Sequence, residues 1–244
     1  MAEQEIAKHG KQVIRLLTSS EHGAAHRLRE IAIEFVTILF AVLLSIWLHG
    51  WSEHRHQQDE VRTFLSGLKK DLQSDIGTLD EMGKWYRGFD ANLQYLVALA
   101  PGTAPDWKQF EDAYQLSDAN WFFVPNKSRY DGFLMSGKLT NIENPELLNG
   151  ILRLYQSTLT QIQNSEGGWT TRQRKLRDYR EELLVEDDAA SHFRILSTPK
   201  GKRLMSQLIT HQLVYDRYAR FADESAKIVK MIDAYPGMAA AAGH

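Results

Sequence analysis

IAIEFVTILFAVLLSIWLHGW, residues Ile31 to Trp51, decides how the rest of the chain is read. The eighteen residues from Ile31 to Leu48 hold a single charge, Glu34. As a helix, about 20 predominantly apolar residues cross roughly 30 Å of hydrocarbon. Trp47 and Trp51 stand near the far end as interfacial anchors, where indole rings prefer the headgroup level. The stretch therefore reads as a transmembrane helix. A buried helix of a soluble core is the alternative, because the run is at the short end of the range.

Within that helix Glu34, Thr37, Ala41 and Ser45 share one face, while Phe35, Ile38, Leu39, Val42, Leu43 and Ile46 mostly point elsewhere. Small residues at four-residue spacing let a second helix approach closely. A carboxyl group in hydrocarbon is costly unless it meets protein or water. This face is expected to pack against another span, from a second copy or a partner subunit. The alternative solvates Glu34 near the boundary beside Arg27, Arg29 or Glu30. Proton conduction through Glu34 is disfavoured, since no second ionisable residue lies in the span.

The apolar run starts too late, and is too long, for a cleaved signal peptide, which makes a retained signal anchor the better reading. Arg27 and Arg29 before it are nearly balanced by Arg55 and Arg62 after it. Lys8, Lys11 and Arg15 tip the count towards a cytoplasmic N-terminus. The expected location is a bacterial inner membrane, crossed once, with the C-terminal domain periplasmic. Ala2 to Leu17 places Ile6, Val13, Ile14 and Leu17 on one face, the pattern of a helix resting on a membrane surface. Ser19 to Ala25, with Gly23, reads as a break before the span.

The chain has 244 residues, a net charge of −2 and no cysteine. Nucleic-acid binders carry a basic excess that is missing here. Without cysteine there are no disulfides, thiolate metal sites or cysteine nucleophiles. His49, Glu53 and His56 could share a helix face and suit a first-row metal, with His54 beside them. A solvated or headgroup-facing collar is the preferred reading, so no metal and no cofactor are expected. No phosphate-cradling glycine loop, nucleophile elbow or His-Glu-x-x-His motif occurs, and no enzymatic activity is expected.

Beyond Trp51 the pattern becomes a long helix. Val61, Leu65, Leu68, Leu72, Ile76, Leu79, Met82, Tyr86, Phe89, Leu93 and Leu96 recur every three or four residues, the period of a coiled coil. The Pro101 to Pro105 segment stops it. A short helix follows over Asp106 to Leu116, then the aromatic loop NWFFVPNKS, Asn120 to Ser128. Trp121, Phe122 and Phe123, with Tyr130, form a possible contact patch, although aromatics plugging a core under a loop are the commoner arrangement. Arg129 to Ser136 predicts another short helix. Asn144 with Pro145 is a strong start signal for a long one, whose seam runs from Leu148 through Ile151, Tyr155, Leu159, Ile162, Trp169, Leu176 and Tyr179 to Leu183. A final helix is expected from Pro199 towards Tyr235, with His211 on its apolar seam as a hydrogen-bonded core residue.

The fold class expected is all-α: one transmembrane helix (31–51) after a juxtamembrane segment (1–30), continuing into a long antiparallel bundle or coiled-coil domain (52–235), then a disordered tail (236–244). Two stretches carry a resemblance. Glu34 with the Trp51-Ser52-Glu53 exit, and Tyr130 followed by Ser136-Gly137 before a helix, are similar to an uncharacterised bacterial single-span membrane family of unknown function. Leu48-His49-Gly50 replaces that family's asparagine-rich exit. The resemblance spans most of Glu30 to Tyr155 and implies architecture rather than activity. The function expected is that of a non-catalytic single-pass protein of the lipid bilayer whose helical domain mediates assembly, as a homo-oligomer or as an accessory, stabilising subunit of a larger membrane complex. Contact to itself or to other membrane subunits is expected through the transmembrane helix. The alternative is a sensory or ligand-binding domain with a pocket near Trp121, Phe122 and Tyr130.

Overall fold

In the computed structural model residues 21–238 are described, with side chains for Arg29 and for 32–238. The amphipathic reading of Ala2 to Leu17 lies outside the described residues. Helix α1 runs from Glu21 to Ala98, 78 residues without interruption. The break expected at Ser19 to Ala25 is therefore not seen from Glu21 on: Gly23 is helical, since one glycine costs a helix only about 1 kcal/mol. Chain contacts divide the molecule into two units, 1–57 and 58–244.

In the first unit every described side chain from Ala32 to His56 is exposed. Phe35, Phe40, Ile46 and Trp47 are each at least 64% accessible, a large exposure for a run of apolar side chains. α1 is long and apolar enough to cross a membrane, its best window reaching a mean hydropathy of 2.1 with none of that window buried. The buried core helix considered above is thereby excluded for this segment within the chain.

The second unit is helical throughout its described residues, with no strand. After α1 come α2 (Trp107–Leu116), α3 (Ser128–Met135), a 3-10 turn (Lys138–Asn141), α4 (Pro145–Arg153), a π-helical turn (Leu154–Thr158) and α5 (Leu159–Leu183). Then follow α6 (Ala189–Leu196), α7 (Pro199–Ser206) and α8 (Gln212–Asp233). Side chains cap the starts: Asp106 accepts the Gln109 amide, Asn144 those of Glu146 and Leu147, Asp188 that of Ser191 and Thr198 that of Gly201. Each cap satisfies amides that the first helical turn leaves free. Gly137, at φ 73°, closes α3 in the left-handed region that favours glycine.

The expected seam of α1 is the inner face. Val61, Leu65, Leu68, Leu72, Leu79, Met82, Tyr86, Phe89, Leu93 and Leu96 are all buried, and Ile76 is half-buried. Two cores share this face. The first joins Val61 to Tyr86 with α3, α4, the start of α5 and α8; the second joins Phe89 to Leu96 with α2, the end of α5, α6 and α7. Trp85 packs against both.

The contacts between the long helices fix their directions. Lys69 pairs with Asp233, and Asp90 accepts from Thr210, so α1 and α8 are antiparallel. Thr158 bonds Glu224, and Trp169 bonds the Leu208 carbonyl, so the α4–α5 run is antiparallel to α8 as well. Gln58 reaches Asn141 just ahead of α4, while Phe89 touches Trp169 far along α5. α1 and α5 are thus parallel, and the short elements of 99–144 bring the chain back between them.

The structure corrects three expectations for the C-terminal helices: the unbroken final helix, His211 in its core and Leu183 in the seam of α5. The single helix from Pro199 to Tyr235 is split at Gln207–His211, because Leu208 folds inward as a fully buried residue while Thr210 gives its amide to Asp90. His211 is not a core residue: it precedes α8 as its N-cap and is exposed. At the start of the expected tail the Pro236 carbonyl accepts from Arg62 at 3.1 Å and Met238 packs on the first core, while 239–244 lie outside the described residues. Leu183, expected in the seam of α5, is 44% accessible at the helix end.

Candidate functional site

The polar groups inside the domain converge on one irregular segment, residues 117–126, which crosses between α2 and α3. A backbone without helical bonds must find other partners when buried. Here four side chains of α1 and α5 supply them, and a fifth, Arg180, bonds side chains of the segment. Tyr86 donates to the Trp121 carbonyl at 2.8 Å. Asp75 accepts the Asn126 amide at 3.0 Å and its side-chain amide at 2.7 Å. Glu166 accepts the Phe123 amide at 2.8 Å and the Tyr218 hydroxyl at 3.0 Å. Gln173 donates to the carbonyls of Ser117 and Ala119 at 3.2 and 3.1 Å, and Arg180 bonds the Ser117 hydroxyl and Asp118.

Burial pushes the Glu166 and Asp75 carboxyls above their ordinary range, against the downward pull of the amides they accept. Burial likewise raises the Tyr86 and Tyr218 hydroxyls. Buried carboxylates with raised affinity for protons often mark catalysis. In this domain each accepts a backbone amide, Glu166 through Oε1 alone, and Asp90 likewise accepts the Thr210 amide and the Tyr215 hydroxyl.

The aromatic residues of the loop fill the core instead of forming a surface patch. Phe123 and Tyr130 are buried, Trp121 and Phe122 half-buried. Phe123 meets Phe221, Tyr130 stacks on Tyr155 at 4.2 Å, Trp121 meets Trp85 and Phe122 meets Trp169. The space imagined as a ligand pocket near Trp121, Phe122 and Tyr130 is taken by these rings. Its signal in sequence was the density of aromatic residues, which marks a core as well as a contact surface.

Glu34, Thr37, Ala41 and Ser45 are all exposed on the first unit, as are Trp47 and Trp51. The Thr37 hydroxyl donates back to the Ile33 carbonyl at 2.7 Å, which satisfies it without a neighbour. Glu34 is left as the costly polar group on that face. Arg55 lies over the Trp51 ring at 4.8 Å, and Gln57 donates to Glu53 at 3.1 Å. Among the described residues no three histidine or acidic side chains gather as a metal site, and His49, Glu53, His54 and His56 are not brought together as one.

The family described as "Family of unknown function (DUF6090)" matches residues 34–168, more than half of the chain. The protein belongs to that family. The match begins at Glu34 and ends at Gly168, so the DUF6090 region holds most of the apolar run, the α1 seam, the aromatic loop and Glu166. The outer half of α5 and α6 to α8 lie beyond it. No curated protein and no solved structure matches the chain.

An open feature also lies on the surface of the domain. A groove of about 550 Å³ lies between α1 and α8, with Ile76, Leu79, Asp80, Gly83 and Arg87 on one wall and Tyr215, Asp216, Ala219 and Ala222 on the other. It is continuous through Arg87, Gln212 and Tyr215 with a second hollow of about 380 Å³ bordered by Asp90, Ala91 and Gln94.

Proposed function

We propose that this DUF6090 protein is a non-catalytic, single-span membrane protein whose helical domain, together with its span, mediates assembly, as a homo-oligomer or as an accessory subunit of a larger membrane complex. The observation that carries this reading is the fully exposed apolar surface from Ala32 to Trp51. Lipid is the solvent in which such a surface is stable. The interior polar groups support the non-catalytic part, since each buried carboxylate is spent on holding backbone.

Assembly follows from Glu34. A carboxyl group on an apolar helix costs several kcal/mol unless another chain or water meets it, and Ala41 and Ser45 on the same face give a second helix room to come close. The membrane is the cytoplasmic one of a bacterium, with the N-terminus inside and the helical domain outside, supported by the basic residues that precede the span. A sensory or ligand-binding domain is the second reading, and the α1–α8 groove is the observation in its favour.

The test is the native mass of the protein extracted gently from its own membrane. An integral multiple of the 28.0 kDa chain supports the homo-oligomer, and Ala41→Leu then lowers the multiple. Stoichiometric foreign subunits support the accessory role. A bare monomer, unaltered by Ala41→Leu, overturns assembly and promotes the sensor.

A further inference from the structure

We propose that the α1–α8 groove is where a second copy of this chain docks, related by a two-fold axis running along the groove. This deepens the homo-oligomer reading and rests on it: the proposed contact of the spans would be joined by one between the helical domains.

The groove is the place where a bundle helix is missing. Elsewhere the seam of α1 is covered by α2 to α8, but from Ile76 to Arg87 one flank borders the groove. A side chain added at Gly83 would meet only the Arg87 guanidinium, at 3.7 Å. Ala219 and Ala222 form the floor on the α8 side. With glycine and alanine at the contact, helices can approach to the short end of the usual 8–10 Å separation.

Charge commits the occupant. Arg87 and Asp216 are exposed on opposite walls. They stand at one level of the antiparallel pair, because Tyr86 meets Tyr218 and Asp90 meets Tyr215. A two-fold axis along the groove preserves levels and exchanges walls. It lays α1 of one copy on α8 of the other, so Arg87 faces Asp216 of the second copy, twice. The two α1 helices remain parallel, and the alanines of α8 fall against Gly83. Such an isologous contact needs each patch to be self-complementary, which the Arg87–Asp216 pairing provides.

The chain has no cysteine, so engineered thiols report without background. Two differently tagged full-length chains, Arg87→Cys and Asp216→Cys, are co-expressed and oxidised in their membrane. A mixed disulfide carrying both tags is expected, while Lys108→Cys, exposed on α2, gives none with Asp216→Cys. In chains without engineered cysteine, Arg87→Glu is expected to weaken the dimer about tenfold, since it replaces attraction by repulsion. Adding Asp216→Lys restores it. No mixed disulfide in a chain whose native mass is a multiple overturns the groove contact and leaves the span contact standing. A monomeric native mass overturns both. A foreign subunit cross-linked to Arg87→Cys in place of the second copy also overturns the proposal.

Discussion

The carboxylate of Glu166 accepts the backbone amide of Phe123 at 2.8 Å, joining residues 43 apart in sequence inside the core. The same oxygen takes the Tyr218 hydroxyl at 3.0 Å. One side chain thus ties the aromatic loop to α5 and α8. Glutamine keeps a carbonyl oxygen that can accept both bonds, so Glu166→Gln should cost under about 1 kcal/mol. Glu166→Leu leaves a buried amide and a buried hydroxyl unpaired and should cost about 2 kcal/mol or more. Denaturant unfolding of the two variants separates this clamp from a catalytic role, in which Gln would be the damaging change.

The raised carboxyls of Glu166 and Asp75 also set a pH dependence. Burial makes the folded chain hold these protons more tightly than the unfolded chain does. Their contribution to stability is therefore fully present below the ordinary carboxyl range and is lost as pH rises through the raised native values. The melting temperature should climb as pH is lowered from neutrality towards that range. The climb should flatten in Glu166→Gln/Asp75→Asn, and an equal climb in that variant would assign it to other groups.

Gly201 opens the α7 contact and tolerates no side chain. A Cβ there would sit 2.6 Å from the Ile195 carbonyl oxygen and 2.7 Å from that of Leu196. These are backbone atoms held by α6, so they cannot swing aside. Gly201→Ala should destabilise by about 1–3 kcal/mol through overpacking, although alanine is the better helix former. A gain in melting temperature would show that α6 and α7 are not packed this closely.

His211 and Trp169 test the break before α8. His211 is exposed, so His211→Ala should stay within about 0.5 kcal/mol of the parent. Trp169 is buried and donates to the Leu208 carbonyl at 3.0 Å within the break. Trp169→Phe keeps most of the ring but strands that carbonyl, at a cost of about 1–3 kcal/mol. The reverse ranking would restore the continuous helix with His211 inside.

Much of this fold is written in periodicity. The α1 seam, the Asn144-Pro145 start and the run through Gly167-Gly168 are all where hydrophobic spacing and capping chemistry place them, because those rules are local. The break at Gln207–His211 is not legible in that way. Leu204, Leu208 and Tyr215 keep helical spacing across it, and only the distant Asp90 carboxylate, 120 residues away, draws the Thr210 amide out of a helix. The clamps on residues 117–126 are equally non-local. Glu166 and Asp75 look like solvated helix residues until the loop they hold is placed beside them. The groove is invisible for a simpler reason: Gly83 and Ala219 give no pattern signal.

The apolar run provides the most direct check on the membrane reading. Leu43 lies near its middle and is 57% accessible. An arginine at the centre of a membrane helix costs about 2.5–3.5 kcal/mol on insertion, so Leu43→Arg should shift the protein from the carbonate-resistant membrane fraction to the soluble one. The same substitution touches no core residue of the second unit, so the melting of the helical domain should be unchanged. Retention in the membrane fraction together with a lowered melting temperature would mean that the run is covered by protein instead of lipid. Between those results, lipid is favoured because no described side chain from Ala32 to Trp51 is buried.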